Sequence, residues 1–256
     1  GGVTLGTERH SSKNNAIVEM RHVYYEKWGV DAWASRGGFI GAEIFERWHA
    51  ISANERVLVL EPRFGDLACE LFNIYRHSGH TPHMTAAIFD ERYLADTGYL
   101  FDESTVLQHI ADLPTQGQYD IISAGCYLDE LPLDNVLADL ERLYDLLAPD
   151  GALILPVRNP SCAYELDYIM RTGMRDVYSG VGKVKPYVSI SDLHLLQAIH
   201  EHPRMNRYKI HTISFQEDVP LVERMKPFLQ VNENAVSDQI FRLSVRMFFL
   251  GIFKEA

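Results

Sequence analysis

The stretch VLVLEPRFGDLACEL, residues 57–71, decides the fold of this 256-residue chain. It opens with four consecutive apolar residues, as expected for a strand that is covered on both faces. The turn-forming sequence EPRFGD follows at 61–66, and the apolar residues from Leu67 to Tyr75 then recur at helical spacing. A strand, a short turn and a helix in direct succession indicate one unit of a parallel α/β sheet.

The same alternation continues toward the C-terminus. We predict further strands at 85–89, 106–110, 119–124 and 152–157, and a helix at 137–147 that ends at the turn Pro149-Asp150-Gly151. Beyond Ser161 the pattern predicts helices at 164–173 and 191–200, then β-like runs at 208–215 and 241–253. The fold class that follows is α/β, with a doubly wound, mostly parallel seven-stranded sheet and helices on both faces.

The front of the chain has a different character. Residues 1–15 are polar and lack a hydrophobic period, which predicts a tail or linker. Helical spacing of apolar residues follows over 16–28 and 42–51. We therefore divide the chain into an N-terminal tail with a helical appendage, 1–52, and a sheet-containing domain, 53–256. Because no methionine opens the chain, we expect it to be an excised or tagged fragment.

Composition limits the classes of function. With 46% hydrophobic and 23% charged residues, the chain is expected to pack a globular core. Its 24 Lys and Arg against 35 Asp and Glu give a net charge of −11, which disfavours nucleic acid and anionic membranes as partners. Three separated cysteines argue against a disulfide framework or a cysteine-built zinc site. No apolar run approaches the roughly 20 residues of a membrane span, and no signal segment is recognisable, so we expect a cytoplasmic protein.

The candidate site follows from the predicted sheet. In such folds ligands bind beyond the carboxyl ends of the strands, at the point where the winding reverses. Three acidic residues, Glu61, Asp90 and Asp112, follow successive predicted strands. Carboxylates accept hydrogen bonds from hydroxyl and amino groups and repel a bare phosphate, so a nucleoside is the favoured ligand.

The order of these segments resembles that of the class I S-adenosylmethionine-dependent methyltransferases, which have a Rossmann-like sheet. Four short segments carry part of the resemblance: residues 57–71, AAIFD ending at Asp90, ADLP at 111–114 and YDIIS at 119–123. The strongest segment is YLDELPLDNVLADLERLYDLLAPDGALILPVRNP at 127–160, and PYVSISDLHLLQ at 186–197 also matches. The resemblance covers roughly residues 57–253.

The resemblance implies S-adenosylmethionine as cofactor and assigns residues to it. The family's three loop glycines fall on Glu61, Arg63 and Gly65, so only the last is kept. Side chains at the first two positions would crowd the family's cofactor pose, and Pro62 lacks a backbone donor. One interpretation is an altered loop in which Glu61 takes the cofactor's ammonium group; the other is a scaffold that has lost cofactor binding. The implied cofactor-binding residues are Glu61, Arg63, Gly65, Asp90 for the ribose, Asp112 with Leu113 for the adenine, and Gly125.

Each acidic residue also has a structural alternative. Asp90 could cap a helix that begins at Glu91, and Asp112 could simply form a turn before Pro114. Asp129 and Glu130, just beyond the fourth strand, are the candidate catalytic residues, as a substrate-facing base or a metal ligand; a solvated helix start is the alternative. The candidate acceptor-site residues are Tyr127, Arg158, Asn159 and Tyr187. We predict no metal site, because Gly79 and Pro82 interrupt the only evenly spaced histidines, His77, His80 and His83, and we expect Cys126 to serve in packing.

The leading functional hypothesis is O- or N-methylation of a small-molecule or glycan-like acceptor. The alternative is a non-catalytic binding or scaffold domain of a larger glycan-assembly protein. Residues 14–29, NNAIVEMRHVYYEKWG, faintly resemble the closing helix of family-2 glycosyltransferases, which would favour a carbohydrate acceptor. A nicotinamide dehydrogenase is disfavoured, because EPRFGD lacks the GxGxxG phosphate turn. The sequence does not indicate the oligomeric state.

Overall fold

A computed structural model describes residues 20, 23–24, 26–27, 44–114, 118–172, 192–229 and 233–255. Within them, seven strands form one sheet in the order β3-β2-β1-β4-β5-β7-β6. All neighbouring strands are parallel except β7, which is antiparallel to both β5 and β6. The predicted doubly wound α/β fold is confirmed. The strands are β1 Arg56–Leu60, β2 His83–Ile88, β3 Glu103–Val106, β4 Tyr119–Ala124, β5 Leu147–Arg158, β6 Tyr208–Ile213 and β7 Met247–Phe253.

Helices cover both faces of the sheet. Along β1, Leu58 and Leu60 lie in one buried cluster while Val57 and Val59 lie in another, because successive strand residues point to opposite faces. Residues of the helices at 136–145 and 192–201 complete the first cluster, and residues of the helix at 66–77 complete the second. The helices that follow β1 are α1 Asp66–His77, α2 Leu94–Thr97, α3 Val136–Asp145, α4 Ala163–Thr172, α5 Asp192–Glu201, α6 Val219–Met225 and α7 Glu233–Ser244. No helix in the described part of the chain is both long and apolar enough to cross a bilayer.

Two predicted strand positions are wrong. The third strand was expected at 106–110 but lies at Glu103–Val106, where all four residues are exposed at the sheet edge and leave no hydrophobic signal. The run 241–253 was expected to be β-structure throughout, but α7 continues to Ser244 and β7 begins at Met247. Phe241 is 56% exposed and Leu243 is buried, so these two apolar residues lie on opposite sides of a helix.

The segment before β1 packs against the sheet. Residues 44–48 are helical, and Ile44 and Phe45 are buried in the same cluster as Val57. The Trp48 indole lies on β7 at Gly251, where an added Cβ would be only 2.6 Å from Trp48 Cζ3. A glycine is therefore required for this contact. The boundary at residue 52 stays a prediction, while residues 44–48 share the core of the sheet.

A buried carboxylate fastens this segment to β1 and α1. Glu55, which is 4% exposed, accepts hydrogen bonds from the Ser52 amide at 3.0 Å and the Ser52 hydroxyl at 2.8 Å. Its carboxylate also lies 2.8 Å from His49 Nε2 and accepts a hydrogen bond from the Tyr75 hydroxyl. Burial tends to raise the pKa of Glu55, but the hydrogen bonds from His49, Tyr75 and Ser52 outweigh it and lower that pKa.

Candidate functional site

The loop between β1 and α1 has a left-handed backbone at the three positions where the sequence resemblance expects glycine. The φ angles are 44° at Glu61, 52° at Arg63 and 84° at Gly65. Glycine adopts this conformation freely, whereas other residues do so at a cost of about 1–2 kcal/mol each. The Gly65 amide donates to the Pro62 carbonyl at 2.8 Å, which closes the turn before α1. The loop therefore keeps the left-handed conformation although two of the three glycines are missing.

Gly125 lets the chain leaving β4 pass directly beside this loop. A Cβ at this position would lie 2.6 Å from the Glu61 carbonyl oxygen and 2.9 Å from Pro62 Cα. Its amide donates to the Leu60 carbonyl at 2.8 Å. Gly125 is thus required for packing between the two strand exits, and its proposed contact with a cofactor stays a prediction.

The Glu61 side chain joins the ends of β1 and β2. It is 5% exposed, and its Oε2 accepts hydrogen bonds from the amides of Phe89 at 2.6 Å and Asp90 at 3.2 Å. Burial raises the pKa of Glu61, which the hydrogen bond from Phe89 and the nearby Arg63 charge only partly offset. The carboxylate is therefore directed at the end of β2, where the expected ribose-binding Asp90 follows.

Asp90 and Asp112 lie in the turns that follow β2 and β3. Asp90 caps a short 3₁₀ turn, Glu91–Tyr93, and its Oδ1 accepts from the Arg92 amide at 3.2 Å and Arg92 Nε at 2.7 Å. Asp112 is exposed and accepts from the His109 amide at 2.9 Å, within a 3₁₀ turn six residues beyond the end of β3. Leu113 is buried beside it. The alternative predicted for Asp90, a helix cap, is present, and it leaves the side chain at the carboxyl end of β2.

Two arginines and two acids connect the exits of β1, β4 and β5, across the crevice beyond the carboxyl ends of these strands. We call them the crevice ion-pair cluster. Arg63 donates to Glu130 Oε2 at 2.7 Å, and Arg158 donates to Glu130 Oε1 at 2.5 Å. Arg158 Nε also lies 3.4 Å from Asp129 Oδ2. Burial alone would lower the pKa of Arg63, but the Glu130 carboxylate raises it above the ordinary arginine value. The two positive and two negative charges balance, so the cluster is held together without a net local charge.

The candidate catalytic residues belong to this cluster. Asp129 and Glu130 lie in the 3₁₀ turn Leu128–Glu130 that follows β4. The Asp129 side chain is 5% exposed and that of Glu130 is 24% exposed, so neither is a freely solvated helix start. Glu130 is the more accessible carboxylate, although both of its oxygens accept from guanidinium groups.

The candidate acceptor-site residues divide into two groups. Tyr127 is buried below Arg158, whose Cζ lies 4.4 Å from the ring centroid. Asn159 instead holds the turn between α7 and β7: Nδ2 donates at 2.7 Å to the carbonyls of both Arg242 and Val245. Tyr187 lies outside the described residues. Arg158 and Tyr127 therefore adjoin the crevice, whereas the side-chain amide of Asn159 is hydrogen-bonded to backbone carbonyls.

Aromatic residues that the sequence interpretation missed enclose the loop. Phe64 packs edge-to-face on Tyr93 with ring centroids 5.2 Å apart, and burial raises the pKa of Tyr93 to about 12. The Tyr99 hydroxyl donates to the Phe64 carbonyl at 3.2 Å and lies beside Gly65. Neither tyrosine belongs to a periodic pattern, so no signal in the sequence connects them with the loop.

Cys126 follows Gly125 at the exit of β4, close to Arg63. Cys126 is buried, and burial raises the pKa of its thiol well above the ordinary value despite the nearby Arg63. A thiol that stays protonated is a poor nucleophile, in keeping with the packing role expected for it. Among the described residues, no group of three or more His, Cys, Asp or Glu side chains is placed to hold a metal ion.

Comparison with known proteins relates the chain to others by fold. No family profile and no curated protein sequence matches it. A SAM-dependent methyltransferase from Archaeoglobus fulgidus has a TM-score of 0.55 at 13% identity, covering 91% of this chain and 98% of that one. The plantazolicin methyltransferase BpumL in complex with SAH has a TM-score of 0.53 at 13% identity, covering 98% and 92%.

The MccD protein is similar to the same extent, with a TM-score of 0.53 at 13% identity, covering 87% of this chain and 100% of that one. Identities this low establish the fold alone. The fold implied by the sequence resemblance, that of the class I methyltransferases, is confirmed. The resemblance of residues 14–29 to glycosyltransferases stays a prediction.

Proposed function

We propose that this chain is an S-adenosylmethionine-dependent methyltransferase that transfers a methyl group to an oxygen or nitrogen of a small-molecule or glycan-like acceptor. One observation carries the proposal: the loop after β1 keeps a left-handed backbone at Glu61, Arg63 and Gly65. Retaining this conformation at two non-glycine residues is costly, which argues that the loop shape itself is needed. BpumL, of the same fold, is solved in complex with SAH, which supports the same cofactor here.

The described residues fit the adenosine part of such a cofactor. The Asp90 carboxylate stands at the carboxyl end of β2, where it can accept hydrogen bonds from both ribose hydroxyls. Its present partner, Arg92, is 48% exposed, and exposed ion pairs contribute only about 0–1 kcal/mol. Replacing the ion pair with Arg92 by hydrogen bonds from the ribose hydroxyls therefore costs little free energy. Asp112 and Leu113 would face the adenine, and the backbone around Gly65 the methionine part.

When bound, S-adenosylmethionine supplies an electrophilic methyl group on a sulfonium. The protein's own contribution is chiefly to hold the acceptor in line with that methyl group, since orientation alone lowers the barrier substantially. Tyr127 and Arg158 are the residues we assign to the acceptor side. Asp129 and Glu130 are the carboxylates we assign to take the proton of an acceptor hydroxyl, with Glu130 the more accessible.

Arg63 favours a second candidate, a non-catalytic domain that has kept the fold. Its guanidinium reaches from the β1 loop to Glu130 beyond β4. That contact bridges the crevice at the end where the methionine part of the cofactor would lie. In a scaffold domain this ion pair would be permanent and would lock the crevice, whereas in an enzyme Arg63 must turn aside or contact the ligand.

Calorimetric titration with S-adenosylmethionine and SAH tests the proposal. We expect saturable binding, and we expect Asp90→Asn to weaken it by about tenfold or more, because hydrogen bonds to a charged acceptor are lost. The matched control is Glu91→Gln, an exposed acid in the same turn that has no role in the proposed site.

Absence of binding by folded protein at millimolar ligand would refute the enzyme proposal. Binding that appears only in Arg63→Gly would assign the chain to the scaffold candidate. Once binding is measured, transfer of a labelled methyl group to a panel of glycans and small hydroxyl or amino compounds would identify the acceptor class.

A further inference from the structure

A cavity of about 340 Å³ lies at the end of the sheet opposite the crevice. Two sides of the cavity are formed by strand ends: β6 begins there at Tyr208, and β7 ends there at Phe253. Residues 48–50 of the front segment close the third side. β5 and β7 pair from Ala152 opposite Phe253 to Arg158 opposite Met247, so at about 3.3 Å per residue the cavity is roughly 20 Å from the crevice. A ligand in this cavity is therefore distinct from the proposed cofactor.

Aromatic rings form the walls of this cavity. Trp48, Tyr208 and Phe253 all line it. Trp48 and Phe253 meet nearly at right angles, with ring centroids 6.2 Å apart, and the indole is fixed against Gly251 on β7. The two rings pack edge-to-face on each other, an arrangement that aromatic pairs prefer, and so form one continuous apolar wall against which a flat ligand can pack.

The lining of the cavity is positively charged, whereas the chain as a whole is negatively charged. Arg207, Lys209 and Lys254 are positive, and Asp150 is the acid among the lining residues, in a chain whose net charge is −11. Lys254 Nζ donates to the Leu147 carbonyl at 2.6 Å, and Lys209 Nζ lies 4.9 Å from the Phe253 centroid. Neither a carbonyl nor a ring cancels a positive charge. The lining therefore carries two more positive than negative charges.

We infer that this cavity is a second ligand site, which binds an aromatic ring carrying a phosphate monoester. The ring would lie against the wall that Trp48 and Phe253 form together, and the phosphate would face Arg207 and Lys209. A phosphate monoester carries between about −1.5 and −2 charges at pH 7, which matches the surplus of positive charge. The volume lies at the small end of the range for small-molecule sites, about 300–1,000 Å³.

Calorimetric titration of the whole chain with phenyl phosphate, inorganic phosphate and phenol tests this inference. We expect one saturable site for phenyl phosphate and at least about tenfold weaker binding of the other two probes, because each lacks one half of the recognition. Arg207→Gln combined with Lys209→Gln is expected to weaken phenyl phosphate by at least about tenfold. The double variant Arg224→Gln/Lys226→Gln is the control, because it removes the same charge from the end of α6 and the residue that follows it.

A third variant is expected to strengthen binding, so its effect cannot be explained by loss of folding. Asp150→Asn removes the negative charge of the lining and keeps a residue that tolerates the left-handed φ of 60°. It is expected to tighten phenyl phosphate by about two- to fivefold. Equal weakening by both double variants, equal affinity for phenyl phosphate and inorganic phosphate, or no saturable binding would each overturn the inference. Titration of the Arg207→Gln/Lys209→Gln variant with SAH separates it from the proposed function, since that binding is expected to be unchanged.

Discussion

Glu61 and Arg63 hold a backbone conformation for which their side chains are poorly suited, and contacts of those side chains compensate. Glu61 accepts from two amides at the end of β2, and Arg63 is paired with Glu130. A charge-assisted hydrogen bond contributes about 1.5–3 kcal/mol, comparable with or larger than the cost of about 1–2 kcal/mol for a left-handed non-glycine residue. The loop conformation is thus maintained by side-chain contacts instead of by glycine.

The positions of these residues at strand ends could be predicted from the sequence, but the ion pairs among them could not. Glu61, Asp90 and Asp112 were found because each follows a predicted strand, and ligands in doubly wound sheets bind at strand ends. Arg63 and Glu130 are 67 residues apart, and Arg158 is 28 residues beyond Glu130. Such pairing depends on the strand order and on rotamers, neither of which has a local signal. The candidate site could therefore be listed in advance, but its ion-pair cluster could not.

Glu55→Gln is predicted to destabilise the protein at neutral pH by about 1–3 kcal/mol, because a buried carboxylate that accepts several hydrogen bonds is replaced by an amide. The pKa of Glu55 is lowered in the folded state, chiefly by hydrogen bonds that overcome burial. Its contribution to stability is therefore complete above its ordinary value of 4.5 and lost as pH falls through the lower folded-state pKa.

Urea unfolding at several pH values measures this effect. The difference in unfolding free energy between Glu55→Gln and the natural chain should shrink as pH falls below 4.5. Glu46→Gln, at an exposed acid of the neighbouring helical segment, should change stability by less than about 0.5 kcal/mol at any of these pH values. A constant difference across the pH series would show that the Glu55 carboxylate does not lose its stabilising contribution when it is protonated.

At the scale of elements, burial decided which strands the sequence could predict. β1 is covered on both faces and contains a continuous apolar run, and β4 is almost wholly buried around Ile121 and Ile122, so both were located to within about two residues. β3 lies at the sheet edge with every residue exposed, and its position was wrong. The transition from α7 to β7 was also missed, because Phe241 is an exposed apolar residue of α7 that extends the alternating apolar pattern toward the N-terminus.

Gly251→Ala is predicted to detach the front segment from β7. The added methyl group would meet the Trp48 ring at 2.6 Å, a distance that real Cβ atoms do not adopt, so the indole must shift. Forcing an extra methyl group into a packed contact costs about 1–3 kcal/mol. Gly98→Ala is the control, since a Cβ at that position meets nothing within 4 Å.

Chemical unfolding of the two alanine variants measures the difference, and proteolysis near residues 49–53 reports on release of the front segment. We expect Gly251→Ala to lose stability and to be cleaved faster, and Gly98→Ala to behave like the natural chain. Equal stability of the two variants would show that the Trp48 contact contributes nothing to attachment.

At the scale of the whole molecule, charge is segregated between the two ends of the sheet. The carboxyl ends of β1 and β2 carry Glu61 and Asp90 beside the neutral crevice ion-pair cluster, whereas the opposite end carries the basic cavity. The net charge of −11 therefore conceals one cationic site. The net charge disfavoured extended polyanions as partners, but it carried no information about a basic cavity that is large enough only for a small molecule.

Two ligands at opposite ends of one sheet are predicted to stabilise the molecule additively. A ligand present at 100 times its dissociation constant stabilises the folded state by about 2.7 kcal/mol. For a chain of this size that raises the midpoint of thermal unfolding by roughly 5–10 °C. SAH and phenyl phosphate should each produce such a shift, and the two together should produce their sum, because the sites share no residue and lie roughly 20 Å apart.

Thermal unfolding with each ligand alone and with both measures this directly. Asp90→Asn should abolish most of the SAH shift and keep the phenyl phosphate shift, while Arg207→Gln/Lys209→Gln should do the reverse. The natural chain with both ligands supplies the decisive comparison. A combined shift no larger than the greater single one would mean that the ligands compete for one site, and the separation of crevice and cavity would then be wrong as a description of where they bind.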